Sequence, residues 1–520
     1  MGTEATVSTL PTVALARPRR FAINLASNVG QLGLSILVGA WYVPFLVRKL
    51  GPAVYGLIPL TSMVTSYMTL VTLGLDSAVA RSLTIALERD DHQNANLIFN
   101  VSFWGNIALA ALLVIPAGLA IANVDHLLRI PTGYEIPTRW LFACTIAAFI
   151  LNQVKTPFGV SSFSRNRLDL QNLVTIIETL TRVGLVLCLF CLFIPRVQYV
   201  GVAILAGTIV STAGMVWLWK TLTPTLSIRL DQFDWVMLRN LCSTGGWVIV
   251  SQIGVILYLN IDLVIANRLF GAEQSGRYAA VLQVPALLRS LAIAVGGIFP
   301  PIMYSMYGRG DFDGLVGYLN RAIKFLGMVM ALSIGLICGF SEPLLRLWLG
   351  PDFGKLAPLL SLMCIHLCIN LSMYPLYAVP LAADRVRVPG VVTLAIGAGN
   401  LLLALVFTAV FGWGLYGLAA AGAIMLTIRH LLFTPLYGAH ILQRPYRTFY
   451  KEMVPIVLAT AATWALCRWV LLGWTISNWV QLGTAALGVS SLFGAIVYFL
   501  LTPQERLGLK AVVARSRTQA

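Results

Sequence analysis

Apolar runs long enough to cross a bilayer occupy most of the chain, and this feature constrains the fold more than any other. A membrane-spanning helix needs about 17–25 mostly apolar residues, and fourteen such runs can be drawn in the 520 residues. The connections between them are short, so the sequence predicts an all-α polytopic membrane protein with about 14 transmembrane helices and no inserted soluble domain. The predicted runs lie at about 22–47, 54–78, 97–121, 138–158, 171–194, 201–221, 245–267, 276–306, 322–341, 356–381, 389–411, 417–439, 453–473 and 479–501.

The composition supports the same prediction. Hydrophobic residues make up 58% of the chain and charged residues only 11%, with a mean hydropathy of +0.82. A soluble domain carries about 25% charged residues. The net charge of +16 would suggest a nucleic-acid partner for a soluble protein, but cytoplasmic loops of membrane proteins accumulate Lys and Arg. We therefore expect a lipid bilayer and no nucleic acid as the surroundings of this chain.

The distribution of basic residues predicts how the chain is oriented. Arg17, Arg19 and Arg20 precede the first run, which is too long for a signal-peptide core. The first helix should therefore be an uncleaved anchor, with the N-terminus in the cytoplasm. In that orientation 23 Lys and Arg, Lys155 among them, fall in predicted cytoplasmic segments and nine on the opposite side. This asymmetry favours an even number of spans and two cytoplasmic termini.

A turn that recurs after 220 residues indicates two related halves. Arg48–Gly56 and Arg268–Gly276 both read R-x-x-G-x4-G, and the R-x-R pattern of Arg165–Arg167 recurs at Arg385–Arg387 with the same offset. Six helices followed by six in the same orientation would form parallel repeats. We predict four parts: an N-terminal six-helix bundle at 1–221, a cytoplasmic linker at 222–244, a C-terminal six-helix bundle at 245–440, and two further helices with a cytoplasmic tail at 441–520.

Short motifs in a fixed order make the chain resemble a known superfamily. They are Asn24…Asn28, Leu50-Gly51…Tyr55-Gly56, Leu73-Gly74-Leu75-Asp76…Arg81, Asn260-Ile261-Asp262…Gly271…Tyr278 and Leu347-Trp348-Leu349-Gly350. With these motifs the chain resembles the multidrug/oligosaccharidyl-lipid/polysaccharide exporter superfamily and, within it, the Wzx-like polysaccharide flippases. The resemblance implies two six-helix bundles that face each other as a V around a central cavity.

The same resemblance implies a function. Such relatives move a polyprenyl-diphosphate-linked oligosaccharide from the cytoplasmic to the periplasmic leaflet of the bacterial inner membrane by alternating access. The expected partners are therefore this lipid-linked oligosaccharide and, as candidates, other polysaccharide assembly proteins.

Three arginines inside the predicted spans are candidate ligands for the diphosphate of such a substrate: Arg289, Arg429 and Arg182. A charge at the bilayer centre costs at least about 2.5–3.5 kcal/mol, so it normally faces protein or a water-filled cavity. Arg289 has no carboxylate at helical spacing, whereas Glu178 lies one turn before Arg182 and can pair with it. Each arginine therefore either binds phosphate in a cationic cavity or ties helices together through ion pairs.

Other polar residues in the runs are candidates for contacting the sugar or a coupling ion. Asn24, Asn28 and Gln31 share one face of the first helix. This stripe either bonds to a neighbouring helix or faces water and sugar hydroxyls, and a sugar-bearing substrate favours the second interpretation. Asp262 and Glu178 are candidates for proton or cation coupling. For Asp262 the structural alternative is pairing with a basic residue on another helix.

No catalytic or metal-binding pattern is found in the sequence. It lacks a Walker phosphate loop, and His366 with Cys364 and Cys368 on one helix would not complete a tetrahedral metal site. We expect a transporter rather than an enzyme, with no cofactor apart from a coupling proton or cation. Two alternatives remain open. A drug/cation antiporter of the same fold would favour buried acids, and a membrane polymerase or ligase acting on the same lipid carrier would favour a large extracytoplasmic loop.

Overall fold

The computed structural model describes residues 18–88, 91–165, 167–229 and 232–500, which contain helices and no strands. The first half contains α1 (Pro18–Leu50), α2 (Pro52–Tyr55), α3 (Leu57–Glu88), α4 (His92–Ala122), α5 (Val124–Leu127), α6 (Glu135–Ser164), α7 (Leu168–Leu192) and α8 (Gln198–Leu222). The remainder contains α9 (Trp235–Gly296), α10 (Pro300–Gly308), α11 (Phe312–Gly339), α12 (Ser341–Trp348), α13 (Ala357–Ile365), α14 (Leu367–Ser372), α15 (Ala378–Ala382), α16 (Arg387–Leu405), α17 (Gly414–Thr427), α18 (Thr434–Ile441), α19 (Met453–Gly473) and α20 (Trp479–Leu500). Short 3₁₀ segments lie at Pro351–Leu356 and Tyr374–Tyr377, and π-helical segments at Val406–Val410 and Ile428–Phe433.

The predicted all-α polytopic fold is confirmed. Twelve segments of the described chain are long and apolar enough to cross a membrane. One of them, Ile249–Gly296, is 48 residues long and is broken at Gly271, so it supplies two crossings. With the 32-residue α3, these segments account for the predicted fourteen spans.

Several predicted spans end elsewhere than expected, among them the second, which continues to Glu88. The eighth run stops at Gly296, and the short α10 follows it. The fourth run continues to Ser164, so Lys155 lies inside α6 and not in a cytoplasmic segment. The helix tolerates this charge because Lys155 Nζ donates a hydrogen bond to Ser211 Oγ on α8 at 2.9 Å. The side chains of Leu73–Asp76 and Arg81, which belong to the quoted motifs, lie outside the described residues.

The repeated turn brings the two halves into contact. Gly51 and Gly271 both adopt left-handed backbone angles, with φ of +79° and +88°, which residues with a Cβ rarely adopt. Five residues later Gly56 and Gly276 pack together. A Cβ on Gly56 would lie 2.7 Å from the Gly276 Cα, and a Cβ on Gly276 would lie 1.7 Å from the carbonyl oxygen of Pro52. We call the side of the molecule where the turns meet the hairpin side, and the opposite side the linker side.

The segment that links the halves is docked onto α4. Asn96 Oδ1 accepts a hydrogen bond from Ser227 N at 2.7 Å, and Asn100 Oδ1 accepts one from Arg229 N at 2.7 Å. Asn100 Nδ2 also donates to Ser227 O at 2.8 Å, and Trp104 Nε1 donates to Arg229 O at 3.0 Å. These three side chains lie four residues apart on one face of α4. The helix therefore supplies hydrogen-bond partners for the backbone N–H and C=O groups of Ser227 and Arg229.

The last two helices pack beside the second half. They bury a separate apolar cluster with the end of α11, to which Phe340, Cys467, Ile476 and Leu482 contribute. α19 also packs along α11, and its bounds of Met453–Gly473 coincide with the predicted thirteenth span.

Candidate functional site

Asp262 is a buried carboxylate held by neutral partners. It lies on the limb of α9 before Gly271 and is 8% exposed. Tyr278 Oη donates to its Oδ2 at 3.4 Å, and Asn400 Nδ2 donates to its Oδ1 at 3.3 Å. These partners come from the second limb of α9 and from α16, so the carboxylate joins three membrane-spanning segments. Among the described residues Asp262 forms no ion pair, so pairing with a basic residue, the structural alternative, is not found.

Arg289 lies near this carboxylate without contacting it. The guanidinium is within electrostatic range of Asp262, Tyr258 and Tyr278, and the side chain is half-buried on the second limb of α9. It forms no ion pair or hydrogen bond with any residue that the structure describes. A buried cation without a direct partner is costly in a membrane-spanning bundle, so the position favours an anionic ligand.

Arg429 is held by aromatic side chains. Its Nη1 donates to Tyr258 Oη at 2.9 Å, and its guanidinium carbon lies 5.6 Å from the ring centre of Tyr258 and 5.4 Å from that of Tyr377. Cation–π contacts orient a guanidinium without neutralising its charge. Arg429 also lines a cavity of 290 Å³ on the linker side, together with Gln252 and Thr393. The remaining donors of the guanidinium are therefore available to a ligand.

Irregular helix geometry positions these aromatic and basic groups. The π-helical segment Ile428–Phe433 carries Arg429 and His430, and the 3₁₀ segment Tyr374–Tyr377 breaks the tenth predicted span. The two segments meet where Tyr377 Oη lies 3.0 Å from His430 Nδ1. π-Bulges are frequent at functional sites because they re-aim side chains within a helix.

The pairing of Glu178 with Arg182, one of the two alternatives for that arginine, is not found among the described residues. Glu178 Oε2 lies 3.6 Å from Lys155 Nζ on α6, so the acid pairs across a helix interface and not along its own helix. Arg182 lies near Tyr42 of α1, and its Nε is buried without a hydrogen-bond partner in the described part of the chain. Glu178 pairs with Lys155 and not with Arg182 because the Lys155 side chain, 15% exposed, reaches it from the facing helix α6. Arg182 is thus left as a third cation without an ion-pair partner among the described residues.

The polar stripe on α1 contacts α7 at its first two positions. Asn24 is buried, and its Oδ1 accepts a hydrogen bond from Asp169 N at 3.2 Å. Asn28 Oδ1 accepts one from Asn172 Nδ2 at 2.5 Å. These bonds tie both asparagines to α7, as amide groups do between membrane helices, but Asn28 is also exposed, so its contact with sugar stays a prediction. Gln31, farther along, is half-buried, and its contact with sugar stays a prediction.

Sequence reasoning missed several residues of this site. Pro375 and Pro380 in the tenth run could have indicated the broken helix, because proline removes a backbone donor and interrupts a helix. Nothing local pointed to Asn400, whose partner Asp262 lies 138 residues away. The described residues contain no group of three His, Cys, Asp or Glu that could hold a metal ion, and His366 Nδ1 lies 2.9 Å from Asn370 Nδ2.

Contacts between the halves close the hairpin side. Asn267, which is 1% exposed, accepts a hydrogen bond from Arg129 N at 2.8 Å and donates one to Arg129 O at 3.2 Å. Trp348 Nε1 donates to the carbonyl oxygen of Ala40 at 2.5 Å. Together with the packed glycine turns, these contacts join the second half to three parts of the first half. These are α1, the turn between α1 and α3, and the loop before α6.

Comparisons with known proteins decide the family. Residues 22–306, more than half of the chain, match the family described as polysaccharide biosynthesis protein. A Bacillus subtilis (strain 168) protein named "Uncharacterized membrane protein EpsK" is 33% identical over 486 residues, which are 94% of this chain and 96% of that protein. The chain belongs to the polysaccharide biosynthesis protein family. A Shigella flexneri protein of 23% identity, named "Putative O-antigen transporter", matches over 437 residues, 80% of this family member and 97% of that protein.

Solved structures share the fold of this polysaccharide biosynthesis family member. The inward closed conformation of the lipid II flippase MurJ superposes with a TM-score of 0.65 at 14% identity, covering 92% of this chain and 99% of that one. An inward-facing MATE family multidrug transporter gives a TM-score of 0.63 at 14% identity, covering 85% and 96%. The predicted two-bundle fold is thereby confirmed. The fold and the candidate spans identify a multi-pass membrane protein.

Proposed function

We propose that this protein is a flippase that translocates a polyprenyl-diphosphate-linked oligosaccharide across a bacterial inner membrane by alternating access. One observation carries the proposal: Arg289 and Arg429 lie inside the membrane-spanning region, and neither forms an ion pair with a described residue. A diphosphate supplies the missing negative charge. Guanidinium groups suit it because their planar fork binds phosphate oxygens in pairs and keeps its charge.

The contacts between the halves support alternating access. The distribution of Lys and Arg predicts a cytoplasmic linker side, and the cavity beside Arg429 is lined by the linker-side end of α16 at Pro389 and Gly390. The closed hairpin side would then block the periplasm while the substrate enters. Separation of the glycine turns, together with release of Asn267 from Arg129 and of Trp348 from Ala40, would open the opposite side. The lipid chain would remain in the bilayer throughout, as its apolar surface requires.

The proposal can be tested with purified protein in proteoliposomes. A fluorescent polyprenyl-diphosphate oligosaccharide is placed in the leaflet facing the linker side, and its arrival in the other leaflet is measured with a membrane-impermeant glycosidase. Arg289→Gln and Arg429→Gln should each slow translocation about tenfold or more, since a charged hydrogen bond contributes about 1.5–3 kcal/mol. Arg139→Gln, which removes an exposed arginine paired with Asp125 on the hairpin side, is the matched control and should leave the rate unchanged.

Two results would overturn the proposal. Full translocation by both variants would remove the cationic site. Transport of a cationic drug in the same liposomes, without movement of the lipid-linked sugar, would instead identify a drug antiporter of the same fold.

A further inference from the structure

A second cationic pocket lies on the hairpin side, away from the arginines of the proposed transport route. Its volume is 620 Å³, and it is formed by α12, the end of α19 and the segment that follows it. The side chains that characterise it are two arginines, one acid and three tryptophans: Arg346, Arg468, Glu342, Trp464, Trp469 and Trp474.

The charges of this pocket are not neutralised by ion pairs within the described chain. Arg346 donates a hydrogen bond to the carbonyl oxygen of Ile476, which orients its guanidinium and leaves other donors unused. Arg468 is exposed and forms no ion pair or hydrogen bond with a described residue. Glu342 also lines the pocket but pairs with neither arginine, so the pocket carries one net positive charge.

The pocket lies at the level of a lipid head group. α19 has 21 residues, close to the length needed to span the hydrocarbon core, and it ends at Gly473. Arg468 precedes that end by five residues, or about 7.5 Å along the helix axis. Tryptophans concentrate at this level in membrane proteins because their rings are apolar and their N–H is polar. Trp464 and Val457, one and three helical turns before Arg468 and so deeper in the membrane, are 42% and 41% exposed on the surface where acyl chains would lie.

We propose that this pocket binds the phosphate of an anionic phospholipid resident in the leaflet on the hairpin side. The forks of Arg346 and Arg468 hold the phosphate oxygens, as guanidinium groups do in basic pockets between membrane helices. The acyl chains extend from the phosphate toward the membrane interior, along Trp464 and Val457. Such a lipid bridges α12 to α19 and so ties the last two helices to the second half. This site is separate from the proposed transport function, because its occupant stays bound and is not carried.

The test is native mass spectrometry of the full chain in detergent, titrated with phosphatidylglycerol. Arg468→Gln is the decisive variant because Arg468 forms no hydrogen bond or ion pair in the described chain that its loss would break. It should weaken phosphatidylglycerol binding about fivefold, as expected for one arginine near a lipid phosphate. Arg346→Gln should weaken binding by a similar factor. Arg196→Gln, an exposed arginine in another loop of the hairpin side, is the matched control and should bind like the unmodified protein.

Additional ligands distinguish the sources of phosphate. Phosphatidylcholine should bind more weakly than phosphatidylglycerol, and inorganic phosphate should not compete at equal concentration. Equal binding of the two phospholipids, or unchanged binding by Arg468→Gln, would overturn the proposal. Competition by inorganic phosphate alone would indicate a free-anion site, and preferential binding of a polyprenyl phosphate would assign the pocket to the transported carrier; either result rejects a resident phospholipid.

Discussion

Gly56 and Gly276, one from each half of the chain, pack backbone against backbone. A Cβ on Gly56 would lie 2.7 Å from the Gly276 Cα, and a Cβ on Gly276 would lie 1.7 Å from Pro52 O. The same turn is therefore used twice, each copy making room for the other. This reciprocity explains why both copies of the repeat carry glycine at its last position.

Gly276→Ala should separate the two turns, because its Cβ cannot coexist with the Pro52 carbonyl at the observed distance. We expect a loss of about 1–3 kcal/mol in the closed arrangement, typical of overpacking, measured as a lower midpoint of thermal unfolding and slower translocation. Gly184→Ala on α7 is the matched control, since nothing lies within 4 Å of its added Cβ. Equal midpoints for the two variants would contradict this account of the contact.

Asn267→Leu should loosen the loop before α6. It leaves the amide and the carbonyl of Arg129 without their partner, at about 1–3 kcal/mol for each buried unsatisfied group. Hydrogen exchange at the Arg129 amide should accelerate accordingly. Asn123→Leu, which removes only an exposed bond to Leu119 O within one helix end, should not change that rate. An unchanged Arg129 amide in Asn267→Leu would mean that the loop is held elsewhere.

Asn100→Leu should release the linker from α4. Asn100 Oδ1 accepts from Arg229 N and its Nδ2 donates to Ser227 O, so one substitution removes two backbone partners. Trypsin should then cleave after Arg229 faster, which mass spectrometry of the fragments can measure. Asn94→Leu, an exposed position on the same helix, serves as the control. Resistance of both variants to cleavage would show that the hydrogen bonds from Asn96 and Asn100 do not hold the linker on α4.

The helices of this fold could be predicted from the sequence because the length of an apolar run is a local property. α19 coincides with its predicted span, and the paired glycine turns were visible as a repeated pattern. The polar partners could not be predicted in the same way. Glu178 has Arg182 at ideal helical spacing but pairs with Lys155, because the rotation of α7 against α6 decides which cation it meets.

The geometry around Arg429 shows a second limit of prediction from the sequence. The residue stands in an apolar run of ordinary appearance, yet the helix around it is π-helical. Its aromatic partners Tyr258 and Tyr377 come from two other spans. Such contacts depend on how broken helices pack together, which hydrophobic periodicity does not encode.

The pair of Lys155 and Glu178 should be a stabilising contact of the first half. Their side chains are 15% and 28% exposed, so removing one partner leaves a poorly solvated charge. We expect Glu178→Gln to lower the free energy of unfolding by about 1–3 kcal/mol, and Lys155→Met combined with Glu178→Gln to recover part of the loss. A double-mutant cycle on the pair Arg444 and Asp313, whose acid is 88% exposed, should give a smaller coupling of about 0.2–1 kcal/mol. Equal coupling energies in the two cycles would contradict the expectation that the poorly solvated pair of Lys155 and Glu178 stabilises the first half.

Asp262→Asn tests whether the buried carboxylate responds to a driving ion. Asparagine keeps the size of the side chain, its Oδ1 can still accept from Asn400 Nδ2 and its Nδ2 can donate to Tyr278 Oη, but it cannot take up or release a proton. We expect substrate binding to persist, while the acceleration of translocation by an imposed proton gradient is lost. Asp125→Asn, at a half-buried acid in the connection between α4 and α6 on the hairpin side, should keep that acceleration because Asp125 lies outside the membrane-spanning helices and its charge is paired with Arg139. If Asp262→Asn still responds to the gradient across a pH series, the carboxylate is a structural link between α9 and α16 and not a protonation site.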